Sequence, residues 1–194
     1  MASKRERSWS TYRKLMSNLV PAVVFVPVFA AGLFLFQQDK LALSIGFFAA
    51  SIVIGVFAVN LLGLFQNRKM HSELKPLVHG RTEPVWFVGI GKPGGVGALD
   101  PHQDLGFLML TQTAVEYVGE SARYTIPYND IVGVGYKINA HTLLGLGRWV
   151  SIEGRHDGKP FALLVEPRTH PTILQNKKEG ARLAAEIRKL LPTR

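Results

Sequence analysis

Two stretches of the chain show no alternation of polar and apolar positions. Residues 19–36 are eighteen positions without a charge, and residues 41–65 are twenty-five more, with Asn60 as the one strong polar interruption. A helix rises 1.5 Å per residue, so about 20 residues cross the ~30 Å hydrocarbon core of a bilayer. With polar flanks included, the pattern predicts spanning helices at about 17–38 and 41–65. Only Gln37 to Lys40 separate the two runs, which forces an antiparallel hairpin with both ends on one side. Helices apolar on every face would otherwise need a large soluble domain wrapped around them. A cleaved signal peptide fits poorly, because the first run is too long and a second follows at once.

Past residue 65 the pattern changes twice. Residues 67–82 read as a polar juxtamembrane connector, with the second helix continuing as far as Lys75 before Pro76 stops it. Short β-type runs then follow, punctuated by Gly, Pro and Asn, at 85–90, 106–110, 114–118, 123–126, 131–138, 149–153 and 160–166. Asp157-Gly158 supplies the turn of the last hairpin. Leu183, Ile187 and Leu190 recur at helical spacing, which predicts an amphipathic helix over about 170–191. Thr169 is its expected N-cap, Pro171 fits its first turn, and Gly180 is a weak point. Residues 83–194 thus form a β domain with a C-terminal helix.

Charge orients the hairpin. The chain has 194 residues, no cysteine and a net charge of +9. The first 18 residues carry Lys4, Arg5, Arg7, Arg13 and Lys14 against Glu6 alone. Residues 66–81 carry Arg68, Lys69, Lys75 and Arg81 against Glu73, while the hairpin tip is neutral. Cytoplasmic loops carry the excess of Lys and Arg, so the basic residues 1–16 and the β domain belong in the cytoplasm. Trp9 and Tyr12 lie where interfacial aromatic anchors would be useful.

Within the spans, Ala42, Gly46 and Ala50 recur every fourth residue, and Ser51 and Gly55 repeat that spacing on a neighbouring stripe. Small residues so spaced let helices approach closely, either against the first helix or across a subunit interface. Pro21 and Pro27 fall in the first helix. Neither span contains Asp, Glu, Lys, Arg or His, which argues against an ion or proton path built from this chain alone.

Chemistry is sparse elsewhere. Residues 89–94 spell G-x-G-x-x-G, but the following Gly-Val-Gly-Ala-Leu-Asp-Pro cannot open the helix that a dinucleotide fingerprint requires. The six histidines fall outside metal-binding spacings and read as solvated residues of connectors and turns. Without cysteine there is no thiolate metal site and no cysteine nucleophile. No G-x-S-x-G elbow occurs, so neither catalytic residues nor a cofactor are expected. Residues 82–167 hold six Lys or Arg against nine Asp or Glu, whereas residues 168–194 hold seven against two. A mildly acidic β region does not suit nucleic acid. The basic last helix is either a solvated face or suited to an anionic leaflet. Leu143, Leu144, Leu146 and Trp149 mark a glycine-containing loop that either contacts a partner or membrane or folds back over the sheet.

The strings GFLMLTQTAVEY (106–117) and YTIPYNDIVGV (124–134) resemble the bacterial pleckstrin-homology-like and GRAM-like domains, over roughly residues 83–191. The resemblance implies an α+β membrane protein: a two-helix transmembrane hairpin followed by a bent seven-stranded sheet or barrel capped by a C-terminal α-helix. It also implies a bacterial inner membrane and binding rather than catalysis. Residues 91–103 are longer and richer in glycine than the usual first connection. The expected function is a non-enzymatic accessory, scaffold or assembly subunit that docks other membrane-protein subunits and lies against membrane lipids. An anionic-lipid sensor and an oligomeric transport component are the alternatives.

Overall fold

The computed structural model describes residues 7–91, 102–138 and 148–192. The expectations for Lys4, Arg5, the glycine-rich connection and Leu143, Leu144 and Leu146 lie outside them. Two long apolar helices, α1 (Thr11–Gln37) and α2 (Leu41–Leu74), precede a 3-10 turn at Lys75–Val78. Seven strands follow: β1 (Val85–Gly91), β2 (Asp104–Leu110), β3 (Ala114–Gly119), β4 (Arg123–Pro127), β5 (Ile131–Lys137), β6 (Trp149–His156) and β7 (Lys159–Pro167). The chain closes with α3 (Ile173–Leu190).

The turn between α1 and α2 is tight because the end of α1 is closed by its own backbone. Asp39 adopts φ 58°, its N–H bonds to Phe36 O, and the Lys40 N–H reaches Leu35 O. That is the paired bonding of a helix terminus with a left-handed residue just beyond it. The antiparallel helices then pack through Phe25, Phe29 and Gly32 of α1 against Ser44, Phe48 and Gly55 of α2. Phe29 and Phe48 lie 5.1 Å apart, Gly32 leaves room for the Phe48 ring, and buried Ser44 donates to Gly32 O at 2.9 Å.

This packing separates the two small-residue stripes. Ser51 is buried and Gly55 meets Phe25, but Ala42, Gly46 and Ala50 are exposed, and a Cβ at Gly46 would meet nothing within 4 Å. Ser44 lies two residues from both Ala42 and Gly46, about 200° round the helix, so facing α1 with Ser44 turns that stripe away.

The strands are antiparallel in the order β4-β3-β2-β1-β7-β6-β5. The bent sheet encloses a core of Trp86, Val88, Leu108, Tyr117, Ile131, Ile152 and Val165, which α3 seals with Leu183, Ala184 and Ile187. Gly106 and Gly119 stand opposite each other in β2 and β3, and a side chain at Gly106 would collide with the β3 backbone. Asp157 and Gly158 both take positive φ, as a two-residue hairpin turn requires.

Two boundaries differ from expectation. The N-cap of α3 is Thr172, which accepts from Gln175 N, rather than Thr169. Upstream, His170 and Asn176 exchange two hydrogen bonds, which hold residues 170–172 in a turn before the helix starts. Leu190 is exposed, and the buried face of α3 ends at Ile187.

The polar stretch after the apolar run is no free connector. Residues 67–74 belong to α2, where Met70 and Leu74 are buried with Trp9, Phe87, Leu105 and Phe107 in a second core. Alternate residues of a strand face opposite ways. Hence Trp86, Val88 and Leu108 enter the first core, while Phe87 and Phe107 turn outward and are covered by α2.

Candidate functional site

The polar and aromatic side chains that join the helical hairpin to the sheet lie along three seams. The first is the segment before α1. Trp9 is only 7% exposed, and its indole Nε1 donates to His102 O at 3.0 Å. The Ser8 and Trp9 N–H groups both donate to the Glu120 carboxylate, at 2.6 and 3.1 Å. The Arg168 guanidinium lies 5.3 Å from the indole centroid, within cation–π range. Glu120 is positioned because buried Asp104 accepts the Ser121 and Ala122 N–H groups of the same turn. Burial, and next the Asp104 carboxylate, push the adjacent Tyr117 hydroxyl far above its usual range.

Trp9 is therefore a bolt into the sheet domain and not an interfacial anchor. His102 is likewise buried, paired with Glu166 at 2.9 Å and packed on Trp9 and Trp149. Trp149 is 5% exposed, which removes it from the expected contact loop: its indole fills space behind His102.

The second seam joins α1, α2 and the sheet. Arg13 makes a two-pronged ion pair with Glu73, at 2.7 and 2.8 Å, and also donates to Ser8 O. Arg13, one of the basic residues flanking the spans, is thus engaged across the helix pair. Ser17 donates to Gln66 at 2.8 Å one turn further along. His71 stands edge-on to Phe87 and Phe107, at 5.3 and 5.5 Å. Burial and the nearby Lys75 ammonium hold the His71 imidazole below its ordinary value. The Arg13 hydrogen bond pulls the Glu73 carboxyl down. Burying each large apolar side chain here contributes about 1.5–3 kcal/mol, so the seam is strongly cohesive. Arg7, Arg68, Lys69 and Lys75 are exposed, and Lys14 lies 5.9 Å from the Trp9 ring.

The third seam links α2 to α3. The Ile173 N–H, one of the unpaired donors at the start of α3, donates to Asn60 Oδ1 at 2.9 Å. Asn60 Nδ2 donates to Val56 O within its own helix. Asn67 Nδ2 reaches His170 O at 3.4 Å, and a Cβ at Gly63 would stand 2.8 Å from Pro171 O. The one amide of the second apolar run thus caps a helix 113 residues away.

Two hollows open on the sheet domain. A cleft of about 920 Å³ at one end carries mixed charge from Arg81, Glu83, Glu116 and Arg182 beside Trp86. A more apolar pocket of about 420 Å³ lies among Ile90, Tyr124, Ile126, Phe161 and Leu163, rimmed by Arg123 and His156. The histidines expected to be solvated divide: His71 and His102 are packed, while exposed His156 pairs with Asp130 at 2.6 Å. Among the described residues no three His, Asp or Glu side chains come together as metal ligands do.

The first two seams escaped sequence reasoning, although β1 and β2 did carry a signal. Their apolar residues are continuous rather than alternating, the mark of strands covered on both faces. No family model and no curated protein matches the chain.

Proposed function

We propose that this chain is a membrane-anchored, non-catalytic interaction subunit. In this reading α1 and α2 cross a bacterial inner membrane as a hairpin, with both termini and the sheet domain in the cytoplasm. The domain, with the strand number and closing helix of a pleckstrin-homology-like module, docks a protein partner within a larger membrane complex. One observation carries the reading. The most apolar windows of α1 and α2 are only 6% and 11% buried by the rest of the chain, while the cytoplasmic end of α2 is built into a core. Helices of a soluble core would be covered along their length. Within the proposed bilayer these touch only each other and the start of α3, and the sheet covers them only where they leave it.

The exposed stripe of Ala42, Gly46 and Ala50 is the surface on which a partner helix would pack. Copurification from membranes in mild detergent, followed by mass spectrometry, tests the proposal. The expected result is a reproducible membrane-protein partner whose recovery falls when Gly46→Leu fills the groove. Because the Gly46 position is open within the chain, that substitution leaves the hairpin itself intact. A lone monomer under the gentlest extraction overturns the reading.

A further inference from the structure

We infer that the first turn of α3 is sunk in the cytoplasmic headgroup layer of the bilayer, beside α2, and fixes the attitude of the sheet domain on an anionic membrane. The inference rests on the hairpin spanning a bilayer, as proposed above. It follows from where α3 is attached. The Ile173 N–H bonds to Asn60, and Pro171 O lies against Gly63, yet the apolar run of α2 continues to Phe65. Five residues of helix rise about 7.5 Å. The start of α3 therefore lies that far on the membrane side of the level where α2 becomes polar, within the roughly 5–10 Å depth of interfacial helices.

The exposed residues of the two helices on either side of this boundary agree. Phe65 is 67% exposed and Leu174 is 56% exposed. Three and four residues further along each helix come two exposed cations, Arg68 and Lys69 on α2 and Lys177 and Lys178 on α3. Residues at i+3 and i+4 lie one turn on along the same face. Both helices lead away from the hairpin here, since the far end of α3 bonds through Arg188 to Val134 O in β5. Each thus presents an apolar residue at the lower level and a basic pair one turn above it. Acyl chains below and anionic headgroups above match that order.

The absence of cysteine makes the test direct. Full-length protein carrying one nitroxide-labelled cysteine, at Val53→Cys, Leu174→Cys or Gln112→Cys, is placed in phosphatidylcholine–phosphatidylglycerol vesicles. Collision with oxygen is compared with collision with a water-soluble nickel chelate. Position 53 is expected deep in the acyl chains and position 112 in water. Position 174 is expected between them, with oxygen favoured and depth close to the headgroups. If position 174 meets the nickel chelate as freely as position 112 while 53 stays deep, the inference is overturned. Shielding of 174 from both reagents points to a second copy covering it and overturns it equally. If 53 also meets the chelate, the spanning reading itself fails.

Discussion

Trp9 joins the hairpin to the sheet through its ring, its indole N–H and its backbone N–H together. Trp9→Ala empties a buried site and abandons the His102 carbonyl, so a loss of about 3–5 kcal/mol is expected. Trp9→Phe, which keeps most of the volume and loses the hydrogen bond, is expected to cost about 1 kcal/mol. Thermal unfolding in detergent measures both, and equal effects would show that the buried ring volume is immaterial. Two titratable groups at the neighbouring seam set a pH dependence. His71 is held below its ordinary value near 6.5, so the unfolded chain takes up its proton first and stability falls as pH drops from about there. Glu73 is held below 4.5, so its contribution is complete above that value and is lost as pH falls further toward its native value. The thermal midpoint should therefore fall in two steps on acidification, and His71→Phe should remove the upper one. An upper step that persists unchanged in His71→Phe contradicts this. Neither Trp9 nor His71 was legible as a packing residue. In sequence both are polar-edged aromatics near basic residues, and that pattern fits a membrane rim as well as it fits a seam.

The elements themselves were far more legible than their junctions. Each of the seven strands follows from a short β-type run bounded by turn residues, and the hairpin follows from the length and spacing of its apolar runs, because these signals lie within a few neighbouring positions. The start of α3 was misplaced by three residues because Thr169 and Thr172 are equivalent caps in sequence. The choice between them falls to the His170–Asn176 exchange and to Asn60, distant in the chain. Asn60→Leu should keep α2 helical while removing the acceptor for the Ile173 N–H. The expected cost is about 1 kcal/mol, with faster amide exchange confined to the first turn of α3. Exchange unchanged at residues 173–176 would contradict that role. Gly180, a weak point by propensity, is buried, but an added Cβ would sit 3.5 Å from Val150, an ordinary contact. Gly180→Ala should therefore stabilise α3 by about 0.5–1 kcal/mol, and a lower midpoint would show that the contact is tighter than its geometry implies.

At the scale of the molecule, the sheet domain does not hang from the hairpin on a tether. Trp9, Met70 with Leu74, and Asn60 each fasten it at a different height, and the Arg13–Glu73 pair ties the two helices to each other. Any displacement of the domain would have to strain α2 as well, so the arrangement couples the two apolar helices to the sheet domain mechanically. The central claim is that these helices cross a membrane and leave the sheet on the inner side. Single cysteines at Gln38→Cys in the hairpin tip and Gln112→Cys in the β2–β3 turn test it, using a membrane-impermeant maleimide on intact cells. The account predicts that position 38 is labelled from outside and position 112 only after the cells are opened. Labelling of position 112 in intact cells would contradict it.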